Sequence, residues 1–257
     1  MSMRYWLFTL TFLAHAADPV FHASFNNGTD AEKSPGDRRI YSAPDYKAGM
    51  ASAKLGLAGT GVVHENGALH FTRKNTQAVF FQAQGISPVE GTISFLLQLD
   101  PNLDLAPGFV DPLQLTDQAY NDSALWVDFT KDDQPRHFRL GVFGELKAWN
   151  PGNQPPDKNP DFNRRLVIVK QPPFARGKWT HVAITYAKLG AGAGEARLYL
   201  DGVLQGTSAT VKEPFAWHTG KPTLRLGVNY TGWMDELAIY RKALTAAEIG
   251  KLGRIKY

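Results

Sequence analysis

The chain has 257 residues, with 28 Lys and Arg against 24 Asp and Glu, and it contains no cysteine. Without thiols it forms neither disulfides nor a zinc site with sulfur ligands, so its stability must come from the core or from another bound metal. The formal charge of +4 is scattered without a basic cluster, which argues against nucleic-acid binding.

The first element is an apolar segment at the N-terminus. An apolar run over residues 5–13 follows Arg4 and is itself followed by Ala-His-Ala, the small-x-small pattern of a signal-peptidase site. The run is too short to cross a bilayer, which needs about 20 residues, so a membrane anchor is the weaker alternative. We predict a signal peptide over residues 1–16 and a mature chain, residues 17–257, exported to the periplasm or the extracellular space. No other segment is apolar for long enough to span a membrane.

Short β-branched and aromatic runs follow, separated by turn residues, which is the pattern of a strand-rich sandwich. Residues 20–25 predict a first strand, ended by Asn-Asn-Gly. Residues 30–60 are polar and rich in Gly and Ala, which predicts a long loop. Three more strands are predicted at residues 67–71, 78–81 and 91–99.

The middle of the chain is rich in proline. Ten of the sixteen prolines lie between Pro101 and Pro173, which predicts long loops around residues 100–165. Two strands are predicted between these loops, at Ala124–Phe129 and Phe138–Phe143. Strand signals continue on both sides of every proline cluster, so we predict one domain rather than a split near residue 160.

The last third of the chain has the clearest turn signals. After a strand over residues 177–186, Asp201-Gly202 separates two short strand runs and predicts a type I′ hairpin, in which both turn residues have positive φ. The last strand is predicted at Gly232–Tyr240. Each of these runs is short, so the region predicts consecutive strands of an antiparallel sheet.

A short helix is predicted after the last strand. Thr245 and Glu248 have the spacing of a capping box, and Leu244 and Ile249 occupy the two positions of a hydrophobic staple. Gly253 is placed to end this helix. We expect the helix to pack against the sandwich.

Three fragments of this region, taken in order, carry a family resemblance: GKWTHVA, LYLDG, and GWMDELAIY followed by ALTAAEI. Together they resemble the laminin-G-like domains of the concanavalin A-like lectin/glucanase superfamily. The resemblance implies an all-β jelly-roll sandwich of two antiparallel sheets, with the N- and C-terminal strands side by side and a short C-terminal helix. It does not extend over residues 100–170.

The resemblance also implies a calcium ion between the loop after the first strand and the start of the last strand. The matching carboxylates are Asp30 and Asp235, and backbone carbonyls around Asn27 and Trp233 would complete the six to eight oxygen ligands that calcium takes. In the alternative interpretation, Asp30 is a turn residue and Asp235 accepts hydrogen bonds from nearby backbone.

Sugar sites commonly combine an aromatic ring with hydrogen-bonding side chains in loops. Trp149 lies among Pro, Gly and Asn and is the best candidate for an exposed ring. The aromatic residues in or beside the strands, Trp126, Trp179 and Trp233, are expected to pack in the core or at its rim. The candidate ligand-binding pairs are Trp149 with Asn150, Trp217 with His218, and Tyr230 with Asn229.

Motifs for catalysis are absent from the sequence. The glycanases that share this fold resemble one another in an E-x-D-x-x-E strand motif, and no Glu here is followed two positions later by Asp. Asp235 and Glu236 are adjacent, so a regular strand would direct them to opposite faces. We therefore predict a secreted, non-enzymatic module that binds a glycan or an extracellular protein, with calcium as a structural ligand. The alternative is a polysaccharide-degrading hydrolase or lyase of the same fold.

Overall fold

A computed structural model describes residues 18–47, 49–218 and 220–254, and the predicted signal peptide lies outside these residues. None of the helices described is long and apolar enough to span a membrane. In chain order the strands are β1 (Phe21–Ala23), β2 (Ile40–Ala43), β3 (Lys54–Leu55), β4 (Val62–Glu65), β5 (Ala68–Phe71), β6 (Ala78–Gln82), β7 (Gly91–Gln98), β8 (Val110–Thr116), β9 (Ala124–Phe129), β10 (Phe138–Phe143), β11 (Leu166–Val169), β12 (Thr180–Ala187), β13 (Glu195–Leu200), β14 (Val203–Thr207), β15 (Thr223–Val228) and β16 (Gly232–Tyr240).

The strands form two antiparallel sheets, as the jelly-roll prediction requires. Sheet A has the spatial order β14-β13-β12-β7-β16-β5-β4, with β1 also paired to β16. Sheet B has the order β11-β10-β9-β8-β15-β6-β2-β3. Within the described residues, four short α-helices accompany them: α1 (Pro101–Asp104), α2 (Leu146–Trp149), α3 (Pro160–Arg164) and α4 (Ala246–Leu252). Turns of 3-10 helix lie at Gly49–Ser52 and Pro156–Lys158.

The core lies between the inner faces of the two sheets. Alternate residues of each strand point inward, as Leu125, Val127 and Phe129 of β9 do, and these side chains are completely buried. The pairing of Phe21 in β1 with Ile239 in β16 confirms that the first and last strands of the sandwich lie side by side. The intervening residues of each strand therefore form two outer faces, one on each sheet.

Several local predictions are confirmed residue by residue. The strands β9, β10 and β16 have the predicted bounds. Asp201 and Gly202 have φ of 48° and 78°, as the hairpin turn requires. Thr245 caps α4 and forms a complete capping box with Glu248.

Residues 30–60 are not the single long loop that their composition predicts. They contain β2 and β3, and β2 pairs with β6 inside sheet B. All four residues of β2 are buried, so tertiary packing overrides the weak local preference. In the proline-rich middle, β8 includes Pro112, which sits at a β-bulge between Val110 and Leu113 where the ladder needs no N–H donor.

A second bulge corrects the prediction about Asp235 and Glu236. The pairing of β16 with β7 shifts register between Asp235 and Ala238, and Glu236 has φ of 50°. Simple alternation therefore does not hold there, because a bulge inserts an extra residue and redirects its side chain.

Candidate ligand-binding cleft

The outer face of sheet B collects charged and aromatic side chains in register. Arg225 of β15 is paired with Gln114 of β8, and Gln114 with Trp126 of β9. Two residues after Trp126 on β9, and on the same face, Asp128 is paired with Arg139 of β10. Since paired residues lie about 5 Å apart on the same face of a sheet, these side chains form one continuous polar surface.

A cleft of about 610 Å³ opens over this surface. Helix α3 and the turn Pro156–Lys158 border it on one side, because Phe162 packs against the ring of Trp126. Its volume lies within the range of about 300–1,000 Å³ that is usual for ligand sites. The lining residues are Phe109, Asp111, Tyr120, Trp126, Asp128, Lys131, Arg139, Pro156, Asp157, Phe162 and Asn163.

Gly141 sets the position of the Trp126 indole. A Cβ on Gly141 would lie 2.2 Å from Cζ2 of Trp126, so only glycine lets the ring lie across β10. Trp126 Nε1 donates a hydrogen bond to the carbonyl of Tyr120 at 2.7 Å. The indole is thus a buried wall of the cleft, whereas the lining residues Phe109 and Tyr120 are 47% and 39% exposed.

Asp128 and Arg139 form a bidentate ion pair at the cleft floor. Arg139 Nε donates to Asp128 Oδ1 at 2.8 Å, and Nη2 donates to Oδ2. The guanidinium also lies 5.1 Å from the ring centroid of Phe109 and 5.8 Å from that of Trp126. Both charged side chains are mostly buried, so each depends on the other for compensation.

Asp111 is the second carboxyl of the cleft. Gln114 Nε2 donates to Asp111 Oδ2, and Arg225 Nη1 donates to Gln114 Oε1 at 3.3 Å, which fixes the orientation of the Gln114 amide. Burial, reinforced by the neighbouring Asp128, raises the pKa of Asp111 to about 7. Burial also raises the pKa of Asp128, but the hydrogen bonds and charge of Arg139 oppose this rise and favour the ionised form of Asp128.

The loop that carries Phe109 is tied down by a buried arginine. Arg136 is 5% exposed, and its guanidinium donates to four backbone carbonyls at distances of 2.8 to 3.4 Å. Its backbone N–H also donates to Asn102 Oδ1 at 2.9 Å. These bonds hold one wall of the cleft to the end of β9. The accepting carbonyls belong to Leu105, Ala106, Gly108 and Thr130.

Trp149 and Asn150 are not exposed, contrary to expectation. Trp149 is 7% exposed, packs against Phe143 and donates from Nε1 to the carbonyl of Asn121 at 2.9 Å. Asn150 is buried and closes a turn by bonding both backbone groups of Gln154. The loop composition that suggested exposure belongs to residues 150–155, whereas Trp149 ends α2 and faces the sheet.

The other two predicted pairs lie apart from each other. Tyr230 is completely buried against Phe71, while Asn229 Nδ2 donates to the carbonyl of Phe109 at 3.2 Å, at the edge of the cleft. Trp217 is half-buried. Its exposed neighbour His218 contacts Glu145 Oε1 through Nε2 at 2.7 Å. Of these four residues, Asn229 borders the cleft.

Asp30 and Asp235 have separate partners. Asp30 Oδ1 accepts from the backbone N–H of Ile40 at 2.9 Å, and Asp235 Oδ1 accepts from that of Glu236 at 2.8 Å. Burial raises the pKa of Asp235 to about 7, with Glu236 and Glu32 adding to the effect. Among the residues described, no group of three or more His, Cys, Asp or Glu is arranged to hold a metal ion.

The cleft residues were missed although part of the signal was present. Asp128 and Arg139 each occupy an outward position within a correctly predicted apolar strand. A charged residue in such a strand needs a partner or a function. The pairing register that joins them is a tertiary property, and the position of Asp111 depends on the bulge in β8.

The two antiparallel sheets, with the first and last strands side by side, define a jelly-roll sandwich. The family model Laminin_G_3, described as the concanavalin A-like lectin/glucanases superfamily, matches residues 113–250, which is more than half of the chain. The chain belongs to this superfamily, and the match includes residues 113–170, where the three sequence fragments showed no resemblance. No curated protein matches its sequence.

Solved structures with low sequence identity share the fold. One is domain 4 of AbnA, a GH43 extracellular arabinanase from Geobacillus stearothermophilus, in complex with arabinotriose: TM-score 0.50, 16% identity, covering 93% of this chain and 100% of that domain. The receptor-binding domain of botulinum neurotoxin type G has a TM-score of 0.56 and 10% identity over 93% of this chain. This chain covers 51% of that neurotoxin domain.

Proposed function

We propose that the protein is a glycan-binding module and that its binding site is the cleft on the outer face of sheet B. The observation that carries this proposal is the joint presence of the exposed rings Phe109 and Tyr120 with the polar groups of Asp111, Asp128 and Arg139. Sugar rings present apolar C–H faces, which stack on aromatic rings, and hydroxyl groups, which bond carboxylates and guanidinium groups.

The comparison with the arabinanase domain supports this proposal. That domain was solved in complex with arabinotriose, an oligosaccharide, and this chain covers its whole length. The aromatic and acidic composition of the cleft supports the same ligand class independently of that likeness.

Loss of one exposed ring tests the proposal. The purified chain is screened on a polysaccharide array, and dissociation constants for the best ligand are measured for Tyr120→Ala and Phe109→Ala. Each variant is expected to bind at least about tenfold more weakly, which is about 1.4 kcal/mol.

Val203→Ala is the matched control, since Val203 is 62% exposed on β14 of sheet A, away from the cleft. Equal losses in the control and cleft variants would contradict the assignment of the cleft. Absence of glycan binding altogether would favour an extracellular protein partner.

A specific observation favours hydrolysis as the second candidate. Burial raises the pKa of Asp111 to about 7 while Asp128 beside it is paired with Arg139, and glycoside hydrolysis uses two carboxyl groups that differ in pKa. Reducing-sugar and unsaturated-product assays are run beside the array. Product release that Asp111→Asn abolishes would replace the binding role with an enzymatic one.

Export and calcium binding remain predictions. Mass spectrometry of the mature protein from the periplasm or the medium tests cleavage after residue 16. Calorimetry of chelator-treated protein tests calcium. We expect heat of binding and a higher Tm; neither effect at millimolar calcium would contradict the prediction.

A further inference from the structure

We infer that the cleft selects glycans whose polar groups are hydroxyls and discriminates against glycans that carry carboxylate or sulfate groups. This inference rests on the proposed glycan-binding function and names the ligand class of the same site. It follows from the donors and acceptors that the lining residues leave available.

Each cationic group of the lining already has an acidic partner. The Nε and Nη2 atoms of Arg139 form the guanidinium edge that fits a carboxylate, and this edge is bonded to Asp128. Lys131 is exposed, and its Nζ lies 3.2 Å from Asp132. Proteins recognise carboxylate and sulfate with unoccupied guanidinium or ammonium donors. Within the lining as described, the bidentate edge of the guanidinium is not free for a ligand.

The acidic groups of the lining favour hydroxyl donors. An ionised carboxylate only accepts hydrogen bonds, so the free lone pairs of Asp128 and Asp157 need donors from the ligand. A sugar hydroxyl supplies a donor. A ligand carboxylate or sulfate supplies only acceptors, and it would place a like charge beside these residues.

Asp111 extends this preference. Gln114 donates to one oxygen of Asp111. The other oxygen can donate a hydrogen bond when the carboxyl is protonated and accept one when it is ionised. A hydroxyl matches both states. Ionisation above pH 7 adds a negative charge to the floor, so discrimination against acidic glycans should increase with pH. The titratable or charged groups that act on Asp111 are Asp128 on β9, Arg139 on β10, Tyr120 before β9 and Tyr46 after β2.

The test uses pairs of polymers that share a glycan backbone, one member carrying carboxylate groups and the other hydroxyl groups in their place. One pair is polygalacturonate and the same polymer after reduction of its carboxyl groups; another is carboxymethyl and hydroxyethyl cellulose. Dissociation constants are measured by affinity electrophoresis and calorimetry at pH 6 and pH 8. In each pair that binds, the neutral polymer should bind at least tenfold more tightly, and the ratio should be larger at pH 8.

Equal or tighter binding of the acidic polymer overturns the inference while leaving glycan binding intact. Absence of binding to every polymer in these pairs and on the array overturns the proposed function and the inference together. The two failures are therefore distinguishable.

Charge-removing variants locate the discrimination. Asp157→Asn changes an exposed side chain, so the variant is expected to fold, and it should lower the neutral-to-acidic affinity ratio severalfold. Asp111→Asn should lower the ratio at pH 8 more than at pH 6. Asp161→Asn, on α3 but outside the cleft lining, is the control and should leave the ratio unchanged. Unchanged ratios in both cleft variants would contradict the inference.

Discussion

The outer faces of the two sheets carry polar residues in the same alternating pattern but differ in what covers them. On sheet A, Ser94 and His181 bond each other at 2.9 Å and are buried. Helix α4 closes part of this face, where Leu244 and Ile249 pack on Tyr199. On sheet B, the covering segments leave the groups of Asp111, Asp128 and Arg139 open to a cleft. The comparison teaches that the covering segment decides whether an outward polar residue is structural or available to a ligand.

The largest expected effect is on the sheet B face. Asp128→Asn leaves the Arg139 guanidinium buried without its counter-charge, which should lower the free energy of unfolding by about 3–5 kcal/mol. Urea unfolding measures it. The control Glu195→Gln breaks an exposed ion pair with Arg197 and should cost less than about 1 kcal/mol. Similar values for both variants would mean that the cleft pair is effectively solvated.

The two faces should also respond to pH with opposite signs. The raised pKa of Asp111, about 7, means that its stabilising contribution is full below pH 4 and is lost as pH rises towards 7. Burial lowers the pKa of His181 to about 4, so its contribution is full above pH 6.5 and is lost as pH falls towards 4. At about 1.4 kcal/mol per pKa unit, the effect is on the order of 4 kcal/mol for Asp111 and 3 kcal/mol for His181.

Urea unfolding between pH 4 and 8 separates these contributions. Asp111→Asn should remove the decline in stability towards pH 7, and His181→Gln should remove the decline towards pH 4. Curves for both variants that parallel the parent protein would show that neither group titrates as its burial requires.

Opening the closed face should have a slightly smaller effect. Ile249→Ala removes a completely buried side chain between α4 and sheet A, at an expected cost of about 2–3 kcal/mol. Unfolding in urea gives the value, and hydrogen exchange at His181 should accelerate. Leu204→Ala, at an exposed position on β14, should cost less than about 0.5 kcal/mol. If Ile249→Ala also lowers the free energy of unfolding by less than about 0.5 kcal/mol, α4 is not stably packed on sheet A.

The smallest expected effect reshapes the cleft wall. Gly141→Ala forces the Trp126 indole away from β10, at a cost of about 1–2 kcal/mol. Tryptophan fluorescence and near-UV circular dichroism report the displaced ring, and glycan affinity should fall. Gly152→Ala is the control, since a Cβ there meets only one side-chain atom, at 3.8 Å. Unchanged spectra in Gly141→Ala would contradict the packing described.

Local signals predicted much of this fold because several elements are encoded by adjacent residues. The turn at Asp201-Gly202 and the cap at Thr245 need only their own neighbours, and both are confirmed. The buried strand β2 lies in a segment of loop-like composition, and its pairing partner is about 40 residues away, so local periodicity does not reveal it.

The site was harder to predict than the scaffold. The pairing register of β9 and β10 brings Asp128 and Arg139 together, and a bulge in β8 places Asp111 beside them. Neither the register nor the bulge can be read from the spacing of these residues in the sequence. Exposure was misjudged for a similar reason: Trp149 adjoins a polar loop but faces the sheet. Side-chain direction at the ends of short elements depends on tertiary packing.

The arginine that ties the Phe109 loop to its surroundings has a thermodynamic consequence for recognition. Because Arg136 already satisfies four carbonyls of this wall and its neighbouring strand, the wall keeps one shape before any ligand arrives. Most of the conformational entropy lost on association is then lost by the ligand rather than by the protein. A stiff oligosaccharide should consequently bind with a smaller entropic penalty than a flexible one that makes the same contacts.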